Sequence, residues 1–396
     1  MYYFHIDKMH GKREKIMQYL LSIIVPTKNR YIYLKSIVKI FSDMDNNEIE
    51  LVIQDNSEDN KEILQFLGDD YSKNIKYFSN RQHMTVSDNF NEGILNSSGA
   101  YVCMLGDDDI ISSKIIEIVK YMKINDIESA IFNKASYTWP DMEFKVHKLP
   151  SLCINRITGK IETVDSQTEL MKCLIMGATS LLKLPEVYQG IVKRTSLDKI
   201  YYKGNTYFPG SSPDMAIAIA LSLVVKSHIY VDIPYIISGQ AYVSAGGKGA
   251  RHEHKGRLKD MDWLPIDIED KWEKKIPMVW TGSTIYADSA HKAINYMGRE
   301  ELLKKFNYPY QYAYFLSFNP EYREYLKPLI KGKHVMKIKI IIYMIRIFFL
   351  RSIIFIKNIL TTRFGITNTT IFEDVKTSGK ASKIVDDFIE KQLKNL

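Results

Sequence analysis

The first 110 residues carry four short apolar runs, each closing on a polar cluster, with helix-length segments between most of them. LSIIVPT, from Leu21, is followed by the turn KNR and by apolar residues at Tyr33, Leu34, Ile37, Val38 and Phe41, the spacing of one helix face. IELVIQDNS and IKYFSN read as a second and a third strand, a helix is expected around SDNFNEGILNSS, and YVCMLGDDDII reads as a fourth, buried strand. Strands alternating with helices in this way argue for right-handed βαβ units, hence an α/β fold with a mostly parallel sheet flanked by helices. Ligands of such sheets bind beyond the carboxyl ends of the strands. PTKNR, QDNSED and GDDD all fall there, so three polar clusters are expected to converge on one crevice.

From Ser112 to about Gly239 the pattern continues, with helices expected at SQTELMKCLIM and at PDMAIAIALSLVV, where Pro213 occupies a first-turn position. ISGQAYVSAGGKGARHEHKGR, rich in Gly, Ser and basic residues, reads as a mobile loop. The segment Lys331 to Phe364 is intensely apolar, yet Lys339, Arg346, Arg351 and Lys357 interrupt it. A central Arg costs a membrane span roughly 2.5–3.5 kcal/mol, so a helix lying in a membrane interface is expected, its apolar face in lipid and its basic residues among headgroups. On a helical wheel Lys339, Arg346 and Lys357 fall together, with Lys337 and Arg351 to one side. A helix packed on the domain with solvated charges is the alternative. No internal repeat is visible.

The expected organisation is an N-terminal extension (1–20), a main domain (21–250, in two halves, 21–111 and 112–250), a helical region (251–330), the interface helix (331–364) and a polar tail (365–396), whose amphipathic pattern from Glu373 on also suits a partner helix. The formal charge of +8 and pI near 9.0 point to an anionic partner. A nucleic acid is not that partner, because the basic and aromatic residues concentrate in the interface helix and are not interleaved along an open face. The three cysteines, Cys103, Cys153 and Cys173, have neither zinc-clip nor redox spacing, which makes a reduced compartment the default. The first residues lack the unbroken apolar stretch of a signal peptide, so the body of the chain is expected on the cytoplasmic side. A homo-oligomer is compatible with the sequence.

Asp107, Asp108 and Asp109 follow Gly106 at the end of the fourth strand. Adjacent carboxylates repel, and a divalent cation relieves them; a small cluster of hard oxygen ligands suits Mg2+ or Mn2+, with a substrate diphosphate completing the shell. A solvated turn capping the next helix is the bland alternative.

LSIIVPTKNR, ELVIQDNSEDN and NFNEGILNSSGAYVCMLGDDD, taken in order, resemble the successive blocks of the family 2 glycosyltransferases, which have the GT-A fold. The resemblance runs from about Leu21 to Gly239 and is strongest up to Ile110. It implies that Pro26, Thr27, Asn29 and Arg30 line a nucleotide pocket, and that Asp55 accepts hydrogen bonds from the base. Gln54 stands where many relatives have a second acid. Asn89 and Gly93 would border the nucleotide or serve packing. Asp107 would meet the ribose and Asp109 the metal, with Asp108 sharing either role.

Inverting transfer needs a carboxylate to take the proton of the attacking hydroxyl, and the candidate is Asp214, directly ahead of an apolar helix. Relatives often bring a His or a basic residue from the Gly-rich loop over the diphosphate, which makes His252 a further metal-site candidate, with His254, Lys248 and Arg251 beside it. Trp139, Trp263 and Trp272 are either sugar platforms or core. The resulting expectation is an inverting transfer of sugar from a nucleoside diphosphate to a hydroxyl of a lipid-linked saccharide, in capsule, O-antigen or other cell-surface polysaccharide synthesis at the membrane. A nucleotidyltransferase would carry a Gly-rich phosphate loop that PTKNR lacks. A non-catalytic membrane adaptor is the other alternative.

Overall fold

The computed structural model describes residues 18–68, 73–146, 148–251, 253–261, 263–363 and 368–394. Of the expected N-terminal extension, residues 1–17 lie outside these, and Tyr19 and Leu20 already belong to β1 (Tyr19–Thr27). Helix α1 (Tyr31–Met44) buries Tyr33, Leu34, Ile37, Val38 and Phe41, the face its periodicity predicts. Then come β2 (Ile49–Asp55), α2 (Lys61–Leu67), β3 (Ile75–Ser79), α3 (Val86–Leu95) and β4 (Gly99–Met104). Thr85 begins α3 with a capping box shared with Asp88.

The four strands run parallel in the order β3-β2-β1-β4, with Thr27 level with Asp55 and Asp55 level with Ser79. Their carboxyl ends therefore open on one side. Side chains of β1 alternate between faces: Leu21, Ile23 and Val25 join the core under α1, whereas Ile24 joins the core under α3. Pro26 is tolerated in this central strand because β4 has parted from β1 by then, the last shared contact being the Leu105 amide on the Ile24 carbonyl.

The chain continues through β5 (Ile110–Ile111), α4 (Ile115–Ile124), β6 (Ser129–Phe132), β7 (Ala135–Thr138), α5 (Asp141–Val146), β8 (Ser151–Asn155), β9 (Ile161–Thr163) and α6 (Ser166–Ile175). β10 (Ile191–Lys193) runs antiparallel between β4 and β6, and with β11 (His228–Val231) and β9 it extends the main sheet to eight strands. Between β10 and β11 lie α7 (Arg194–Gly204) and α8 (Pro213–Ser222). Helix α8 begins on Pro213 and is buried on every side, as its unbroken apolar run requires.

Two stretches differ from the sequence-based expectation. The Gly-rich loop expected to be mobile supplies β12 (Ile236–Gln240) and α9 (Ala245–Ala250), because β7 offers β12 a parallel partner. Helices α10 (Gly282–Tyr296), α11 (Tyr308–Phe318), α12 (Lys327–Ile330) and α13 (His334–Arg363) follow. The last residues, expected as a polar tail or a partner helix, return to the body as a strand and a helix. β13 (Thr369–Glu373) pairs with β8 in a second sheet, β13-β8-β7-β12-β5, and α14 (Ser378–Lys394) packs on α1. Ala381, Val385 and Ile389, four residues apart, give α14 a core-facing stripe. Among the described residues no helix is long and apolar enough to cross a membrane.

Candidate functional site

The crevice is built where β1, β2 and β4 end. Asp107 is fully buried, and its Oδ2 accepts hydrogen bonds from Thr27 Oγ1 (2.6 Å) and Arg30 Nε (3.0 Å). Its Oδ1 has no hydrogen-bond partner but lies 2.7 Å from Arg30 Nη2. The first and fourth strands are thus tied by one ion pair, and Arg30 is the cation that faces Asp107 and Asp108. Burial works to lower the Arg30 pKa, but Asp107 and Asp108 outweigh it and the guanidinium stays charged. Asn29 adopts the left-handed conformation (φ 58°), which Asn tolerates, and its amide donates to Ser57 Oγ, joining the first loop to the second.

Asp108 Oδ2 accepts from the Ala241 amide (3.2 Å), while its Oδ1 is 4.0 Å from Arg30. Asp109 is held by three neutral donors: the Gly106 amide, the Gly239 amide and the Gln189 side-chain amide, at 2.8, 2.8 and 3.0 Å. A side chain at Gly239 would place its Cβ 1.9 Å from the Asp108 carbonyl oxygen, so only glycine lets β12 approach the triplet. Burial pushes all three carboxyls up, Asp107 to about 6 and Asp109 to about 7. Three acids facing one cation leave a surplus of negative charge.

That surplus bears on whether a divalent cation fits. Among the described residues no three His, Cys, Asp or Glu side chains form a metal cage on their own. Mg2+ and similar ions commonly take one or two carboxylates and leave the other positions to water and substrate phosphate. Asp108 and Asp109, met by neutral donors and a distant guanidinium, suit that mode. His252 lies outside the described residues.

Several expected site residues are engaged by the protein itself. Asp55 is fully buried: its Oδ2 accepts the hydroxyls of Tyr31 and Tyr77 at 2.7 and 2.6 Å, and its Oδ1 accepts the Ser57 amide. Gln54 turns to α3, bonding Glu92 and Asn96. Asn89 donates to the Gln54 carbonyl, and its own Oδ1 is buried without a partner, a free acceptor beside the crevice. Gly93 serves packing, since a Cβ there would come within 2.6 Å of Ile24.

On the acceptor side, Asp214 sits in the first turn of α8, partly exposed yet deep among protein atoms, and burial raises its pKa to about 6. Sequence reasoning missed its surroundings. The run Pro185 to Gln189 lies along β4, with Met104 bridging Tyr188. It brings Gln189 to Asp109 and the Tyr188 hydroxyl to the Cα of Gly106, the Tyr188 ring stacking on Phe90. Burial, then the nearby Asp214 charge, lift Glu186 to about 7, with Lys134 opposing. The signal available was the short extended PEVYQG ahead of the strand IVK.

His254 is sandwiched by Trp263 and Trp280, its pKa lowered by burial and by Lys248, so it is a neutral ring in an aromatic cluster. Arg251 is paired with Glu253 and lies over Tyr242, and Lys248 lies over Trp263. Trp139 and Trp272 are buried, with indole N–H groups on the carbonyls of Asp108 and Ile276, which makes them core. Trp263 is half-buried.

Comparison with known proteins agrees with the resemblance read from the sequence blocks. Residues 22–181 match the family model described as Glycosyl transferase family 2, a family that generally uses divalent metal ions. A GalNAc(5)-diNAcBac-PP-undecaprenol beta-1,3-glucosyltransferase of Campylobacter jejuni is 36% identical over 96 residues, 24% of this chain and 31% of that protein. An uncharacterized glycosyltransferase of Rickettsia bellii is 34% identical over 167 residues, 41% of this chain and 23% of that one. The chain thus spans under a third of the length of these curated relatives. Among solved structures, S. aureus TarS 1-349 in complex with UDP aligns at 16% identity over 82% of this chain and 88% of that one, with a TM-score of 0.42.

Proposed function

We propose that this chain is an inverting glycosyltransferase that moves a sugar from a nucleoside diphosphate to a hydroxyl of a lipid-linked saccharide, in assembly of a cell-surface polysaccharide such as a capsule or O-antigen. The observation that carries the reading is the acidic triplet at the carboxyl end of β4, tied to Thr27 and Arg30 at the end of β1, inside the segment that matches the family model. The name of the Campylobacter relative, which describes glucosyl transfer onto an undecaprenol-linked glycan, supports the lipid-linked acceptor; a place at the cytoplasmic face of the membrane is part of the same proposal.

In this reading Pro26, Thr27, Asn29, Arg30, Asp55, Asn89, Asp107 and Asp108 form the donor pocket. Asp55 already accepts three internal hydrogen bonds, two on Oδ2 and one on Oδ1, so Oδ1 is the oxygen with an acceptor site left for the base. Asp109, with Asp108, would hold Mn2+ or Mg2+, and the ion would neutralise charge on the leaving diphosphate. Asp214 takes the proton of the acceptor hydroxyl. With a pKa of about 6 it is mostly ionised at neutral pH, yet basic enough to accept that proton, whereas an unperturbed aspartate would be a weaker base.

The test is a thermal-shift panel of UDP, GDP, CDP, TDP and CMP with their sugar conjugates, with and without Mn2+, on wild type and Asp109→Ala. A ligand present at about 100 times its dissociation constant stabilises by roughly 3 kcal/mol. One nucleotide should raise Tm in a metal-dependent way that Asp109→Ala abolishes. If no nucleotide moves Tm, the donor pocket is not one and the reading falls.

A further inference from the structure

Helix α13 carries two apolar faces, and the body covers one of them. Ile340 and Ile347 are buried against α11 and its neighbours, with Met336, Tyr343 and Met344 half-buried beside them. At roughly 100° per residue, Ile338, Ile342, Ile345, Phe349, Ile353 and Ile356 fall on the opposite side of the helix. All six are exposed, Ile345 at 64% and Phe349 at 63%. A helix of 30 residues is about 45 Å long and roughly 10 Å across, so this strip is at the upper end of the apolar patches that soluble monomers show.

Basic residues mark one edge of that strip. Lys339, Arg346 and Lys357 lie roughly a quarter-turn to one side of its centre. Lys337 lies about a third of a turn to the other side. Arg351 falls on the covered side of the helix, its guanidinium 4.4 Å from the centre of the Phe318 ring at the end of α11. The expectation that Lys337 and Arg351 flank the first group is therefore corrected: α11 fixes the inward face, and Arg351 turns onto it. No Asp or Glu occurs between His334 and Arg363.

We infer that α13 lies in the plane of an anionic phospholipid leaflet, with the Ile338–Ile345–Phe349–Ile356 strip among the acyl chains, the Lys339–Arg346–Lys357 edge among the phosphates, and the α11 side holding the body above. This deepens the reading of a lipid-linked acceptor by naming the surface on which that acceptor would be met. Aliphatic stems of Lys and Arg can cover the strip's flanks while their heads stay at headgroup level. A second copy is the poorer occupant, because the same strip on a second helix carries no Asp or Glu to meet those cations. A span is excluded by the charges at Lys339, Arg346, Arg351 and Lys357.

Flotation of the full chain with phosphatidylcholine vesicles, alone or with phosphatidylglycerol, tests the inference. Wild type should float with the anionic vesicles and about ten-fold less without them. Ile345→Glu/Phe349→Glu and, separately, Lys339→Glu/Arg346→Glu/Lys357→Glu should each lose about ten-fold of that binding while keeping wild-type Tm. Phe349→Trp should be quenched by brominated acyl chains, and Tyr343→Trp should not. Undiminished flotation of Ile345→Glu/Phe349→Glu, or an unquenched Phe349→Trp, overturns the inference. So does a wild-type dimer that Ile345→Glu converts to monomer without vesicles. Nucleotide binding is read on the same variants, so a failed donor pocket and a failed lipid contact give different patterns.

Discussion

Asp107 and Asp108 share one guanidinium while Asp109 has neutral donors, and each of the three carboxyls prefers its proton more in the fold than in the unfolded chain. Raised carboxyl pKa values mean that the folded state binds more protons between the ordinary value and the shifted one, so stability falls as pH rises through that window. With Asp107 near 6 and Asp109 near 7, the metal-free protein should lose Tm between pH 5 and 7.5. Asp109→Asn should lose less over the same interval, and Mn2+ at pH 7.5 should restore wild type but not the variant; calorimetry across pH reads all three. Asp214 supplies a kinetic counterpart. Asp214→Asn should keep nucleotide binding and cut turnover by about 100- to 10,000-fold. In wild type kcat/KM should rise with pH through about 6, the value at which Asp214 loses its proton.

At the scale of elements, the triplet depends on β12. Gly239→Ala drives a Cβ into the Asp108 carbonyl, so the Gly239 amide must leave Asp109. The expected outcome is lost nucleotide-induced stabilisation in thermal shift with the far-UV spectrum intact. Helix α14 is a structural element, and Ile389→Ala, at a site 1% exposed, should cost about 2–5 kcal/mol in urea unfolding. These two cases show what the sequence could and could not reveal. The α1 face, Pro213 and the triplet were legible because each is a local pattern with a local cause. The roles of Gly239, Gln189 and β13 were not, because they depend on partners 130, 80 and some 214 residues away. The two faces of α13 were half legible: its charges could be put on a wheel, but only α11 says which apolar residues are already covered. Asp55 was legible as a position, and its tyrosine partners were not.

For the whole molecule, the charge of +8 is unevenly used. The crevice is acidic around a single arginine, while the outward strip of α13 is bordered by cations alone, so metal and lipid would act on opposite charges. Raising salt to about 1 M shortens the screening length to roughly 3 Å. Binding to anionic vesicles should fall steeply across that change, and nucleotide stabilisation, with its partners buried, should fall much less. Comparing vesicle flotation with thermal shift across a salt series checks this. The placement of α13 between α11 and the returning pair β13 and α14 adds a mechanical constraint. Arg363 and Thr369 are six residues apart, so the two cannot be more than about 22 Å from each other, and Thr369 is fixed on Asn155. Seated on α11 through Ile340 and Ile347, the helix behaves as a keel and not as a leash: on the proposed function, the catalytic mouth would keep one height and one bearing above whatever surface the keel rests on. On that same proposal, an enzyme set in this way would gauge its substrate, favouring acceptors whose growing end stands at that height and passing over those shorter or longer.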